Sequence, residues 1–269
     1  MCNMNKKKQS MTKRFWTLAS IVGLGLLCFV VVTAVKSKKE SYSSRLNINI
    51  KDYEKGKSML LKEDIQLIIE RVFGYDLVGV SIDEIKLLEV EELLENVPMI
   101  KEANVYIDAL NKINVEVSQR EAVLRVIDKY ENSYYLDESG VRMPKSKHFT
   151  PRILIANGNI SEYNQEEFKA ETGVLHDLYE MAVMIKKDAF LNAQIEQLYV
   201  NKKGEIELSP KVGKQNILFG NFENAASKFE NLKIFYKDGM PYKGWNTYKT
   251  IDLRFNGQVI GKKHYLEKS

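Results

Sequence analysis

Glu95-Asn96-Val97-Pro98-Met99-Ile100-Lys101-Glu102-Ala103-Asn104-Val105-Tyr106-Ile107 is the stretch on which the fold turns. Proline disfavours helix in the residue before it, so the apolar-periodic segment Leu87–Glu95 must stop just ahead of Pro98. Beyond the proline, Val105 and Ile107 alternate with Asn104 and Tyr106, the two-residue period of a half-buried strand. A polar-flanked turn at Asp108–Lys112 follows, and Ile113, Val115 and Val117 alternate again. Toward the N-terminus, Ile65, Ile68, Ile69, Val72 and Phe73 fall at helical spacing over Lys62–Phe73, with Gly74 as the stop. Before them Leu46, Ile48 and Ile50 alternate with Asn47, Asn49 and Lys51. The order strand, helix, helix, strand, strand predicts a small α+β domain, with two helices on one face of a three-stranded sheet.

A second block starts near Glu121 and has a different grammar. Val123–Ile127 is a short apolar run, and Tyr134 to Met143 reads as a hairpin turning at Asp137-Glu138-Ser139-Gly140. Arg152–Ala156 is another apolar run. A helix is expected near Gln165–Lys187, on the stripe Leu175, Leu178, Tyr179, Ala182 and Lys186. Strands are expected at Ile195–Val200, Glu205–Ser209 and Asn216–Phe219, then a helix at Glu223–Tyr236. Two strands close the block, Thr247–Phe255 and Gln258–Lys263, joined by Asn256-Gly257 as a tight turn. This predicts a mixed β-sheet domain with helices on one face, over residues 121–269.

Charge and cysteine usage narrow the functional classes. Of 40 basic and 36 acidic side chains, five basic ones (Lys6, Lys7, Lys8, Lys13, Arg14) and no acid lie in the first 35 residues. The remainder carries a net charge of −1, so the basic excess belongs to the tail, which argues against a nucleic-acid-binding domain. Both cysteines, Cys2 and Cys28, precede the folded blocks, which leaves those blocks without a disulfide or a cysteine metal site.

Phe15–Val35 is a run of 21 uncharged residues, long enough as a helix to span about 30 Å of hydrocarbon. It is longer than the core of a cleaved signal peptide, and Thr33-Ala34-Val35-Lys36 is a poor cleavage site. Cys28 follows Leu27, which does not suit a lipoprotein signal. The reading is a single transmembrane helix at residues 15–35, with a cytoplasmic tail at residues 1–14 and a stalk at residues 36–44. The small α+β domain at residues 45–120 would then lie outside the cytoplasm, as would the block after it.

Several local motifs, in this order, resemble the bacterial cell-division family FtsQ (DivIB). Glu95 to Val105 is similar to that family's stretch built around a proline and spaced aliphatic residues. Gln119-Arg120-Glu121-Ala122-Val123 stands where the family has a Glu-Arg-x-Pro-Val-Ala joint; here glutamine replaces the glutamate and the proline is missing. Tyr135-Leu136-Asp137-Glu138-Ser139-Gly140-Val141 and Ile251-Asp252-Leu253-Arg254-Phe255 resemble two further family strands. The resemblance implies a non-enzymatic scaffold of the divisome at the inner-membrane septum, with no cofactor and no small-molecule substrate. It also implies FtsB-like and FtsL-like partners and, through them, FtsW and FtsI. Carried over across the last turn, it places the FtsB contact on Phe255, Gly257, Val259, Ile260, Gly261 and Lys262. The turn is one residue shorter than in the family, and Lys262 stands where some relatives carry tryptophan.

No residue pattern points to catalysis. His148, His176 and His264 lack metal-ligand spacing, and there is no G-x-S-x-G, P-loop or dinucleotide fingerprint. The acids Glu89, Glu91, Glu92 and Glu95 read as the solvated face of a helix whose buried side is Leu88, Leu93 and Leu94. The tyrosines Tyr134, Tyr135, Tyr236, Tyr242 and Tyr248 read as sheet packing rather than as a sugar platform. The alternatives are an anchored enzyme acting on peptidoglycan and a POTRA-bearing export factor.

Overall fold

The computed structural model describes residues 22–33, 41–244 and 247–263. It divides into two compact units. One comprises the segments up to Asn49, Lys62–Leu94 and Ala103–Val117; the other comprises Ile50–Leu61, Glu95–Glu102 and the chain from Ser118 onward.

Residues 22–33 form helix α1, whose large apolar side chains, among them Leu24, Leu27, Phe29 and Val32, are all exposed. Thr33 Oγ1 donates to the Phe29 carbonyl, so even this polar side chain is turned back onto the helix. No helix among the described residues is long and apolar enough to cross a membrane. The expected span also takes in residues 15–21, 34 and 35, which lie outside the described residues.

Strands β1 (Arg45–Ile50), β2 (Ile100–Ile107) and β3 (Lys112–Gln119) form a sheet in the order β1-β3-β2. Helices α2 (Lys62–Phe73) and α3 (Leu87–Glu95) lie between β1 and β2 in sequence. Ile65 and Ile69 of α2, Val90 and Leu94 of α3, and Ile48, Val105, Ile113, Val115 and Val117 of the strands are buried. The β2–β3 turn closes because Asp108 Oδ1 accepts the Leu110 and Lys112 N–H groups at 2.8 and 2.9 Å. One detail of α3 departs from the expected face: Val90, not Leu88, is buried, and Leu88 is 73% exposed. Leu88 stands two positions from Val90 and so about 200° around the helix, pointing away from the core. The acid cluster is partly structural, since Glu91 Oε1 accepts the Val105 N–H at 2.7 Å.

The second sheet has nine strands, β4 (Ala122–Ile127), β5 (Ser133–Asp137), β6 (Arg142–Met143), β7 (Leu154–Gly158), β8 (Ile195–Val200), β9 (Ile206–Pro210), β10 (Asn216–Gly220), β11 (Tyr248–Asp252) and β12 (Ile260–Lys263). Their order is β12-β11-β10-β9-β8-β7-β4-β5-β6. The pairs β4/β7, β7/β8 and β10/β11 are parallel and the others antiparallel, so the sheet is mixed as expected. Leu198, Val200, Ile206, Leu208, Ile217 and Phe219 share one core with Leu178, Met181, Ala182 and Ile185 of α5 (Val174–Lys187) and with Phe229 and Leu232 of α7 (Ala225–Ile234). Between these core positions the strands carry polar ladders, such as Gln197 Nε2 to Asn157 Oδ1 at 2.7 Å and Asn216 Nδ2 to Glu207 Oε2 at 2.6 Å.

The expected helix at Gln165–Lys187 is two helices, α4 (Gln165–Lys169) and α5. Glu171 and Gly173, both at positive φ, break the run between them. A short helix that periodicity did not indicate, α6 (Ala189–Gln194), starts at Asp188, whose Oδ1 accepts the Phe190 and Leu191 N–H groups. The helix expected at Glu223–Tyr236 starts two residues later, because Asn224 is left-handed, and widens into a π turn over Phe235–Gly239. Tyr134, Tyr135 and Tyr236 are core residues, whereas Tyr242 is exposed.

Candidate functional site

The nine-stranded sheet ends on β12 and on β6, and the two edges differ. β6 is two residues long, and Pro144, which follows it, has no N–H to offer. Its Arg142 guanidinium sits 4.8 Å from the Tyr134 ring centre and 5.8 Å from that of Tyr163. β12 is a four-residue strand, paired antiparallel with β11 in the register Asp252–Ile260, Ile251–Gly261 and Thr250–Lys262. In an antiparallel pair every second residue of an edge strand turns its N–H and C=O away from its neighbour. Among the described residues no strand lies on the far side of β12.

The Ile251–Phe255 segment sets where this edge begins. Ile251 and Leu253 are buried, as the alternation requires, but Phe255 is 50% exposed and lies outside β11. The expected strand Thr247–Phe255 therefore ends early, at Asp252. The reason is electrostatic. The buried Asp252 carboxylate accepts from Arg254 Nε at 2.9 Å, from Arg254 Nη2 at 2.8 Å and from the Arg254 N–H at 3.2 Å. That bidentate clamp folds the chain back on itself. The Leu253 N–H donates instead to Leu218 O of β10, at 2.9 Å. Arg254 also reaches Glu205 at 3.3 Å. Gly220, at φ +82°, leaves room for the arginine stem, since a Cβ there would meet Arg254 Cγ at 2.9 Å. The arginine hydrogen bonds hold the Asp252 carboxyl below the ordinary carboxylate range and raise the pKa of Arg254.

The connection to β12 is thus longer than the expected two-residue turn at Asn256-Gly257, and β12 starts at Ile260 rather than Gln258. Gln258 N–H donates to Phe255 O, and Gly257 supplies φ +70°. Of the six expected contact residues, Ile260, Gly261 and Lys262 lie together on the edge strand. Val259 packs on the core just before it, and Phe255 and Gly257 lie in the exposed connection. Ile260 and Lys262 are exposed. Gly261 sits beneath the Tyr248 ring: a Cβ would meet that ring at 2.5 Å, and the ring packs edge-on against Phe235 at 5.2 Å. This aromatic cover over an edge glycine supports a strand that has one sheet neighbour. The roles of Tyr248, Gly220 and Glu205 were beyond the sequence reading, since each depends on a neighbour distant in the chain.

A second polar constellation lies around Gln119, within the unit that holds the large sheet. Gln119 is buried, and all its side-chain hydrogen-bonding groups are engaged. Its Oε1 accepts the Met59 and Leu60 N–H groups at 2.8 and 3.0 Å. Its Nε2 donates to Lys51 O and Ser58 Oγ, both at 2.8 Å. Next to it Arg120 Nη1 pairs with Asp137 at 2.9 Å, and Tyr53 Oη accepts the Ala122 N–H at 3.0 Å. Glutamine is required here because the carbonyl of Lys51 needs a donor that an ionised glutamate lacks.

Among the described residues no three His, Cys, Asp or Glu side chains come together to hold a metal ion. His176 packs between aromatic rings, 5.4 Å from Phe168 and 6.3 Å from Tyr179. His264 lies outside the described residues.

These features define an α+β protein in which a β-α-α-β-β unit precedes a mixed sheet that ends, among the described residues, on an uncovered strand. A POTRA-like domain model matches residues 41–118, and a model described as FtsQ/DivIB, C-terminal related, matches residues 121–262, more than half of the chain. The chain belongs to the FtsQ/DivIB C-terminal related family. No curated protein matches it.

Proposed function

We propose that this protein is a single-pass, non-enzymatic scaffold of the bacterial divisome. In this reading residues 1–14 lie in the cytoplasm and residues 15–35 span the membrane. The folded units stand outside the cytoplasm, where they bind FtsB-like and FtsL-like proteins and so bring in the septal synthase FtsW–FtsI. Two observations support the anchoring: the uncharged run at residues 15–35, and the exposed apolar side chains on every side of α1. Such a surface is stable in lipid and unfavourable in water.

The observation that carries the proposal is the edge strand β12 in a chain of this family. The partner would add a strand to β12, bonding through main chain, with Ile260 offering apolar contact and Lys262 and Lys263 deterring unspecific pairing. Lysine at position 262 supplies no aromatic anchor, so backbone pairing carries more of the affinity. Pull-down of an FtsB-like partner with Ile260→Pro, alongside thermal melts, tests this. A folded Ile260→Pro protein should lose the partner. Full retention by that protein rules the edge out. Midcell fluorescence of a fusion checks the divisome assignment, and a uniform envelope signal contradicts it.

A further inference from the structure

Three segments of the first unit meet where the chain enters it. Ser43 N–H donates to Val80 O at 2.8 Å, Gly79 N–H to Ser43 O at 3.0 Å, and Ile82 N–H to Ser41 O at 2.9 Å. Ser43 Oγ donates to Leu77 O. These bonds tie the loop between α2 and α3 to the entering strand. Ser44 in turn ties on the β2–β3 turn, through its N–H to Asn111 O at 2.8 Å and its Oγ to Leu110 O at 3.0 Å. Each of the three segments carries large exposed side chains at this end: Tyr42 is 66% exposed, Tyr75 45%, Val78 41% and Leu110 67%. The backbone that carries them is tied down, at Tyr42 by a bridge to Ser81. The Tyr75 ring packs edge-on against Phe73 at 6.3 Å, and Asp76 Oδ1 fixes the Val78 N–H at 3.0 Å. The Leu110 N–H is bonded to Asp108.

We infer that this pole, formed by Tyr42, Tyr75, Val78 and Leu110, docks on the outer surface of the membrane that holds the anchor. The inference rests on the anchoring proposed above and adds a second contact with the same bilayer. Chain length commits the pole to that occupant. Eight residue steps separate Thr33 from Ser41, at most about 29 Å even if fully extended. Five of the intervening residues, Lys36 to Glu40, follow the apolar run. The pole through which the chain enters is therefore the part of the unit nearest the lipid. Its chemistry suits the headgroup layer, where tyrosine is favoured because one end is apolar and the other wet. Lys36, Lys38 and Lys39 outnumber Glu40 on the connecting segment and favour anionic lipid.

The test uses the full chain with Cys2→Ser and Cys28→Ala, reconstituted in vesicles of phosphatidylethanolamine and phosphatidylglycerol. A bimane label is placed through Tyr75→Cys, Leu110→Cys or, as the reference, Glu63→Cys. Glu63 lies at the start of α2, about 15 Å of helix from Phe73, against which Tyr75 packs. Lipids bearing a nitroxide at the headgroup should reduce emission at positions 75 and 110 severalfold more than at 63. Double substitution of Tyr42→Ser and Val78→Ser should weaken that quenching without shifting the thermal midpoint, since both side chains are exposed. Equal quenching at all three positions, in a chain that resists alkaline carbonate extraction, overturns the docking and leaves the anchor standing. Extraction by carbonate overturns the anchor and the docking with it.

Discussion

Replacing Gln119 by leucine should be the most damaging isosteric change in the protein's polar interior. The side chain makes four hydrogen bonds between 2.8 and 3.0 Å, two to buried backbone N–H groups and one to a half-buried carbonyl. Leucine fills the volume but leaves the Met59 and Leu60 N–H groups and the Lys51 carbonyl without that partner. Each orphaned buried group costs about 1–3 kcal/mol, and the gain from burying a leucine returns about 1.5–3 kcal/mol. A net loss of about 3 kcal/mol follows, which lowers the melting midpoint by about 6–12 °C for a chain of this size. Gln119→Glu separates the two halves of the network. An ionised carboxylate still accepts from Met59 and Leu60, but it faces the Lys51 carbonyl with no proton to give. Its penalty should be present at pH 7 and shrink as the pH falls and the carboxyl protonates, because the neutral acid can donate to Lys51. Guanidinium unfolding of the full chain in detergent, followed by circular dichroism, measures both variants. A Gln119→Leu protein within about 0.5 kcal/mol of the parent, the range of an ordinary surface substitution, would refute the reasoning.

Two further outcomes follow from the same geometry. Arg254→Ala removes the group that holds the Asp252 pKa down, so the parent's advantage over the variant should be largest near pH 7. That advantage is present above the unfolded carboxylate value, about 3.9, and is lost as pH falls through the lower folded value; a gap that stays constant from pH 7 to pH 2 would show that Asp252 does not report the arginine. Leu94→Ala should cost about 2–5 kcal/mol, because Leu94 is fully buried, while Leu88→Ala on the same helix should fall within about 0.5 kcal/mol; paired denaturation curves check this, and equal losses would place the core of α3 elsewhere.

Elements with strong local signals were legible in the sequence. The 3.6-residue spacing of Ile65, Ile69 and their neighbours marks α2, and Pro98 and Gly74 bracket the first unit's helices because of their own backbone preferences. What escaped depends on groups far apart in the chain, on single left-handed residues, or on local side-chain contacts and short elements that no period represents. Glu171 and Gly173 break the expected helix just ahead of the stripe that begins at Leu175, and the strength of that stripe concealed the break. α6 is six residues long, too short for a period to register, and its signal is the cap at Asp188 alone. At the candidate site, alternation through Ile251, Leu253 and Phe255 pointed to a longer β11. The strand ends because Arg254 returns to Asp252, an interaction that period-two reasoning does not represent. The edge itself was legible, since Gln258 to Lys263 has strand propensity and comes last in the sheet, whereas the Tyr248 cover on Gly261 is a tertiary fact. The glutamine at 119, where the resemblance leads one to expect glutamate, is explained only by the four partners that fold around it.

The central claim is that β12 receives a partner strand. Amide hydrogen exchange of the full chain in detergent, with and without a saturating FtsB-like partner, tests it most directly. The account predicts that the partner slows exchange at amides within Ile260–Lys263 more than at any other strand, while β6 at the opposite edge is unchanged. Unaltered exchange across Ile260–Lys263 with the partner fully bound would contradict it.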